Sequence, residues 1–198
     1  MGIMTSTTTL RIATLYRFCA QSLQYPDTNW LNADYLQGLY SLLESLGADD
    51  ELEQVQTAFE TDPDILETLQ IEHTRLFING VPHVVAPPYG SVYVDKSLQG
   101  LHTEKTLNFY AECGYSLKHG SDLPDHIIHQ LEFLSLLAEN NDAEHESEFL
   151  QTIFLPWFSK FGARVKQETH HPFYSVIVQL IDYLTKEEDE HGIQLDEA

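Results

Sequence analysis

Basic side chains are scarce in this sequence, where 10 lysines and arginines are outnumbered by 31 aspartates and glutamates. The formal net charge of −21 disfavours binding to nucleic acid or to an anionic membrane surface, because both require clustered lysine and arginine. We therefore expect no nucleic-acid partner, and we expect a basic peptide or protein segment if the charge serves recognition. The alternative is that the acidity serves solubility alone.

Cysteine is also rare, with two residues in a chain of 198. Cys19 and Cys113 lie inside apolar helical patterns, without the density of a disulfide scaffold or the spacing of a zinc site. We expect two buried thiols in a reducing compartment, and no cofactor or structural metal.

Long apolar runs are absent as well. No stretch approaches the roughly 18 consecutive apolar residues that a membrane-spanning helix needs, so no integral membrane segment is expected. The first nine residues contain no basic segment followed by an apolar one, which is the pattern of a signal peptide. These absences together predict a cytoplasmic protein.

What the chain does contain is helical periodicity, with apolar residues recurring at intervals of three and four. Pro26 and Gly47 are typical of the ends of the first two runs. The sequence contains no pair of segments with the pattern of partner strands, so we expect no sheet and an all-α fold. It is a single globular helical domain over residues 1–198, with 1–9 and 187–198 as frayed tails. The predicted helical runs are 12–23, 36–46, 52–59, 65–77, 103–114, 127–138, 149–161 and 173–184.

Residues 78–101 interrupt this pattern with one long loop rich in proline, glycine and tyrosine. Connections of this length in compact domains are functional or disordered, and the valines and tyrosines argue against disorder. Pro87 and Pro88 fix the backbone, and Gly90 permits a turn or a close approach that a side chain would block. Residues 92–94 suggest a short extended piece without a partner strand. We expect the rigid loop to present its tyrosines for binding.

Ten histidines raise the possibility of a metal site. His126 and His129 share a helical face, with Asp125 and Glu132 nearby, and a second Glu-x-x-His pair occurs at 188–191. This pattern supports an alternative function, a helical metal-dependent hydrolase or oxidoreductase. No phosphate-binding loop, nucleophile elbow or metalloprotease motif accompanies it.

The polar residues at the start of the sixth predicted run, 127–138, have two interpretations. Asp122, Asp125 and His126 can complement the unpaired N–H groups of a helix terminus. They can equally form an exposed acidic and imidazole group that holds a basic ligand or a peptide N–H. The sequence leaves both open.

Several segments taken together resemble the TorD/DmsD family of redox-enzyme maturation chaperones, over about residues 10–185. The Pro-Pro-Tyr-Gly-Ser-Val form of the loop is more similar to the DmsD branch, because other members commonly carry glutamate where this chain has Gly90. His73 departs from that branch, which tends to have tryptophan. The matching segments are 75–77, 87–93 with Asp95, 124–127, 131–134, 156–157 and 171–174.

This resemblance implies an all-helical cytoplasmic chaperone without catalytic activity. Family members bind the twin-arginine signal peptide, or leader, of a molybdenum-containing oxidoreductase subunit and hold back export until cofactor insertion and folding are complete. The residues that the resemblance marks as peptide-binding are His73, Leu76, Phe77, Pro87, Pro88, Tyr89, Ser91, Tyr93, Asp125 and His126.

The residues themselves suit such a peptide, which offers two guanidinium groups followed by an apolar segment. An acidic protein attracts it over long range. Asp125, with neighbouring carboxylates, is expected to accept an arginine by bidentate hydrogen bonds. Leu76, Phe77, Pro88 and Tyr89 are expected to form an apolar groove for the segment that follows.

The remaining partners are less defined. The export machinery is a second candidate partner. We expect a monomer, with a domain-swapped dimer as the alternative, and a permanent subunit of a larger complex is the third possibility for its role.

Overall fold

The computed structural model describes residues 2–81 and 83–191, and side chains within 11–81 and 83–186. Helices without any strand make up the regular structure of this described part, which confirms the expected all-α fold. Two π-helical turns, Thr74–Ile78 and Leu150–Phe154, extend α4 and join α8 to α9. The α-helices are α1 (Gly2–Ser22), α2 (Ala33–Ser45), α3 (Asp49–Thr61), α4 (Ile65–His73), α5 (Gly90–Val94), α6 (Leu101–Glu112), α7 (Ile127–Glu139), α8 (Ala143–Phe149), α9 (Leu155–Glu168) and α10 (Pro172–His191).

The two terminal helices reach into the segments predicted as frayed tails. The backbone is helical from Gly2 and as far as His191. Met1 and residues 192–198 lie outside the described residues, as does one residue of the long loop at position 82. The extent of fraying stays a prediction.

The core lies where α1 packs along α7, with α10 against both α1 and α9. Helix α7 shows how the sequence builds it, because Ile127, Leu131, Leu134 and Ala138 recur at helical spacing and are all buried. Each large apolar side chain removed from water in this way contributes about 1.5–3 kcal/mol. The core is rich in aromatic side chains, and its largest fully buried members are Trp157, Tyr16, Tyr110, Tyr174, Phe149, Phe154, Phe158, Phe161 and Phe173.

Helix ends follow the expected chemistry at several places. Gly47 has φ +65° just beyond α2, which confirms the predicted stop at a residue without a Cβ. Asn32 caps the start of α2 by accepting the Tyr35 N–H at 3.0 Å. Pro156, where a kink or break was expected, occupies the first turn of α9 directly after a π-helical turn. A π-helical turn thus lies at the predicted irregularity.

Two expectations were wrong. Residues 92–94 belong to the short helix α5 and are not extended. The reason is tertiary, since the first N–H groups of α5 find acceptors on Asp125 and the local preference of valine for strands is overridden. Cys19 is buried as expected, but Cys113 is only half-buried at the end of α6.

Candidate functional site

A groove of about 780 Å³ opens beside the long loop. It is formed by the turn after α1, the π-helical turn after α4, the long loop and the start of α7. Most of its lining is apolar, and three of its polar members, Asp122, His126 and His129, lie around the start of α7. The lining residues from before the loop are Leu23, Gln24, Tyr25, His73, Phe77 and Ile78. Those from the loop onwards are Val84, Pro87, Pro88, Tyr89, Val92, Leu98, Asp122, His126, Ile127, Ile128, His129 and Phe161.

Backbone hydrogen bonds fasten the loop to the start of α7 and make the two segments one wall. The Ile127 N–H donates to the Pro88 carbonyl at 2.9 Å, and the Gly90 N–H donates to the Asp125 carbonyl at 3.0 Å. These bonds flank a single antiparallel bridge between the two segments. The loop is therefore held at a fixed distance from α7, as the rigid proline pair suggested.

Asp125 supports this wall from behind. Its carboxylate has no exposed surface, and its Oδ2 accepts the Ser91 N–H at 2.7 Å. It is not among the groove-lining residues. An arginine from solvent therefore cannot reach this carboxylate without displacing the loop.

Gly90 fills the role that the sequence suggested, a close approach that a side chain would block. A Cβ at this position would overlap the imidazole of His102 and lie 3.0 Å from Nε1 of Trp157. The Trp157 indole is itself fixed, because Nε1–H donates to the Gln130 side chain at 3.0 Å. The loop thus lies directly on α6 and α9.

Tyr89 and His126 form the polar part of the groove wall. Their rings meet edge to face with centroids 5.0 Å apart. The Tyr89 hydroxyl donates to Oδ2 of Asp122 at 3.0 Å. Burial raises the pKa of Tyr89 to about 12, and the nearby Asp122 carboxylate acts in the same direction. Tyr89 is therefore a neutral hydrogen-bond donor throughout the physiological range.

His126 is the N-cap of α7, where its Nδ1 accepts the Ile128 N–H at 3.2 Å. Burial lowers the pKa of His126 to about 4, with His129 acting in the same direction and Asp122 opposing it. The ring is neutral near pH 7, and since Nδ1 is an acceptor, its proton is on Nε2. Of the two interpretations of this helix start, helix capping accounts for His126 Nδ1.

The opposite wall is aromatic. The Nε2–H of His73 donates to the Leu23 carbonyl at 3.0 Å. Its ring lies edge-on to Phe77 and Tyr25, with centroids 5.0 and 5.5 Å away. Phe77 in turn stacks on Phe161 at 6.0 Å. Burial lowers the pKa of His73, so this wall is uncharged near pH 7.

The structure brings together part of the residue set marked by the resemblance. Six of its members line the groove, namely His73, Phe77, Pro87, Pro88, Tyr89 and His126. The other four lie outside the lining, namely Leu76, Ser91, Tyr93 and Asp125. Leu76 and Ser91 are fully buried, and Tyr93 packs against Trp157 with ring centroids 5.7 Å apart. These four support the wall.

Sequence reasoning missed several lining residues, notably Tyr25, Ile78 and Leu98. All three are exposed apolar side chains beside the groove, with 47%, 54% and 55% of their surface accessible. Their segments carry no motif, so the only sequence signal is an apolar residue next to a helix stop or inside the long loop. Asp122 and His129 were noticed as polar candidates, and both line the groove.

Two properties of the described residues bear on the alternatives. Within 11–81 and 83–186, where side chains are described, no group of three or more His, Cys, Asp or Glu side chains is arranged to hold a metal ion. Among the helices of the described backbone, none combines the length and the apolar character needed to cross a membrane. The second Glu-x-x-His pair, at 188–191, lies where side chains are not described.

Comparison with known proteins gives consistent relatives. The family described as nitrate reductase delta subunit matches residues 31–163. The chaperone protein TorD of Actinobacillus succinogenes is 30% identical over 100 residues, so the match spans about half of each chain, 50% of this one and 52% of that one. A second chaperone protein TorD, from Psychrobacter sp. (strain PRwf-1), is 27% identical with 89% of both chains covered.

A solved structure agrees with these matches. The crystal structure of a putative redox enzyme maturation protein from Archaeoglobus fulgidus has a TM-score of 0.59 and 29% sequence identity. The likeness covers 90% of this chain and 93% of that one. The closer similarity to the DmsD branch stays a prediction. Since the family match covers more than half of the chain, this protein belongs to the TorD/DmsD family of redox-enzyme maturation chaperones.

Proposed function

We propose that this protein is a cytoplasmic chaperone that binds the twin-arginine leader of a molybdenum-containing oxidoreductase subunit in the groove. Binding delays export until the subunit has received its cofactor and folded, and release passes it to the export machinery. The names of its relatives, chaperone protein TorD and redox enzyme maturation protein, support this proposal. The observation that carries it is a preformed apolar groove with a carboxylate at its polar end.

The groove matches the two halves of such a leader. Phe77, Pro88 and Ile127 supply apolar surface for the segment that follows the arginines. Ile78 and Leu98 expose further apolar surface at the edge, which a bound peptide would cover. The polar end, at Asp122, suits the cationic half. A volume of about 780 Å³ accommodates several side chains of an extended peptide but not a folded domain.

The alternative, a helical metal-dependent enzyme, is less well supported. His126 uses Nδ1 to cap α7, and His129 directs Nδ1 towards Glu132 at 3.4 Å. A metal ion would need further ligands beside these two histidines, and no group of three or more His, Cys, Asp or Glu among the described side chains is arranged to hold one. We propose a binding protein and no enzyme. Metal analysis of protein purified without a chelator or an affinity tag separates the two, and stoichiometric iron, zinc or manganese would favour the enzyme.

Isothermal titration of a synthetic leader peptide tests the proposal. Tyr89→Ala removes a central aromatic of the wall and is expected to weaken binding by about 2 kcal/mol, roughly thirtyfold. Tyr183→Ala is the matched control, because Tyr183 is a half-exposed tyrosine on α10 that does not line the groove. The control is expected to bind like the parent chain. Equal affinity of both variants, or no binding by the parent, would overturn the proposal.

A further inference from the structure

The polar groups of the groove differ in what they can accept from a ligand. His126 has a fixed tautomer with its proton on Nε2, so it offers a donor. His129 is arranged in the opposite way. Its Nδ1 lies 3.4 Å from Oε2 of Glu132, and since a carboxylate only accepts, Nδ1 is the donor in this contact. The tautomer with its one proton on Nδ1 leaves Nε2 of His129 as an acceptor.

This acceptor is buried and has no hydrogen-bond partner among the described residues. Buried imidazole nitrogens normally have one, because leaving a polar atom unpaired away from water is unfavourable. His129 also lines the groove. A ligand that donates an N–H group to Nε2 would therefore satisfy this acceptor.

Asp122 provides negative charge in the same part of the groove. Its Oδ2 accepts the Tyr89 hydroxyl at 3.0 Å, and its Oδ1 accepts the Leu123 N–H at 2.7 Å. A carboxylate has about four lone-pair positions, so Asp122 keeps capacity for two more donors. It is exposed, and therefore accessible to a peptide from solvent.

Asp125, three residues away, is placed differently. It has no exposed surface and does not line the groove, its Oδ2 accepts the Ser91 N–H, and its buried Oδ1 has no hydrogen-bond partner among the described residues. The hydrogen bond that its carboxylate makes holds the protein's own loop. The two aspartates therefore have separate tasks, although the sequence presents them as one acidic pair.

Resting on the function proposed above, we infer that Asp122 and Nε2 of His129 accept the guanidinium of a leader arginine, and that Asp125 is a positioning residue. Arginine fits this arrangement better than lysine, because its planar fork can donate to a carboxylate and to a second acceptor at once. The Asp122 charge favours arginine over an uncharged side chain of the same shape, such as citrulline. The donor that remains, Nε2–H of His126, is suited to a peptide carbonyl.

A double-mutant cycle measured by isothermal titration tests this assignment. The probes are one leader peptide and its two versions with a single arginine replaced by citrulline, which has the same shape but no charge. Asp122→Asn is expected to weaken binding of the parent peptide about tenfold. It is expected to leave one of the citrulline peptides bound as tightly as by the parent protein.

Two variants serve as comparisons. Asp125→Asn is expected to weaken all three peptides by the same factor, because it acts through the loop. Asp182→Asn changes the net charge equally on α10, outside the groove, and is expected to change nothing. Thermal melting confirms that each variant is folded.

The outcomes distinguish this inference from the proposed function. If the parent protein binds no leader peptide, both fail. If it binds the leader, but Asp122→Asn affects all peptides equally or the arginine-specific loss belongs to Asp125→Asn, only the assignment of Asp122 is overturned. His129→Phe adds an independent readout. It is expected to weaken binding of the parent peptide, and this loss of affinity is expected to disappear with the same citrulline peptide that is insensitive to Asp122→Asn.

Discussion

Gly90 shows at the scale of one residue how the groove wall is fixed, because the loop passes there without room for a Cβ. The neighbours are His102 and Trp157, both buried side chains, so neither can move aside freely. Tyr89, beside it, faces the groove as a result. His126 adds a second constraint, since one imidazole both caps α7 and lines the groove.

Replacing Gly90 by alanine is expected to destabilise the protein by about 1–3 kcal/mol through overpacking. Gly38→Ala is the control, because a Cβ there meets only Phe18, at 3.9 Å. Gly38 lies inside α2, where alanine is expected to stabilise by about 0.5–1 kcal/mol. Urea denaturation is expected to show a lower free energy of unfolding for Gly90→Ala and a higher one for Gly38→Ala than for the parent. Equal stability of Gly90→Ala and the parent would contradict the close approach.

The capping histidine makes a prediction about pH. Because burial lowers the pKa of His126 from its ordinary 6.5 to about 4, the unfolded chain takes up a proton before the folded chain does. Its contribution to stability is therefore present above pH 6.5 and is lost as pH falls towards 4. Asn is a good N-cap that does not titrate. When the pH falls from ~7.5 to ~5, the free energy of unfolding is thus expected to decrease by about 1–2 kcal/mol less in His126→Asn than in the parent.

Urea midpoints at these two pH values give the comparison. His102 and His171 also have pKa values lowered by burial, and neither is among the groups that shift the pKa of His126, so their contributions cancel between parent and variant. The difference between the two proteins therefore reports His126 together with the histidines whose charge acts on it, His73 and His129. An identical loss in both would show that its ring is not neutral in the folded state.

At the scale of elements, the helix α5 and the start of α7 depend on each other. Asp125 bonds α5 through both its backbone carbonyl and its carboxylate, while the loop returns a carbonyl to the first N–H of α7. With five residues, α5 is too short to order itself alone, whereas α7 is held in the core along α1. Order in this part of the groove wall therefore depends on the bonds between α5 and the start of α7.

Removing the Asp125 carboxylate is expected to loosen α5 and leave α7 intact. Asp125→Ala leaves the buried Ser91 N–H without its acceptor, and the expected loss of stability is about 1–3 kcal/mol. Hydrogen exchange should become faster at residues 90–94 and stay slow at 131–138, which belong to the core. Unchanged exchange at 90–94 would show that the carboxylate does not hold the loop.

The sequence allowed the helices to be predicted because their signal is local. Leu131 and Leu134 recur at helical spacing whatever they pack against, and Gly47 ends a helix by its own backbone freedom. The helix α5 was missed because it is stabilised by Asp125, distant in sequence. The difference between Asp122 and Asp125 could not be predicted for the same reason, since only the folded chain shows which carboxylate accepts the Ser91 N–H.

At the scale of the whole molecule, the charge of −21 and the groove act on the same ligand at different ranges. Excess negative charge attracts a basic peptide before contact, and screening by salt removes that attraction. The apolar lining acts only after contact and is insensitive to salt. Charge therefore bears on the association rate, and the groove on the residence time.

Stopped-flow measurement of leader binding is expected to show this separation. Raising the salt from about 50 to about 500 mM should lower the association rate constant by about tenfold or more, with the dissociation rate nearly constant. A leader in which both arginines are citrulline should show a much weaker dependence. A salt effect confined to the dissociation rate would assign the recognition to close ion pairs alone.

The leader is expected to occupy the groove between the loop, the π-helical turn and the start of α7. Hydrogen exchange of the whole protein, with and without saturating leader peptide, tests this position. With peptide bound, exchange is expected to become slower in 73–78, 84–92 and 122–129 and to stay unchanged in α2 and α3. Bound peptide that protects α2 and α3, or that leaves all three groove segments unchanged, would contradict it.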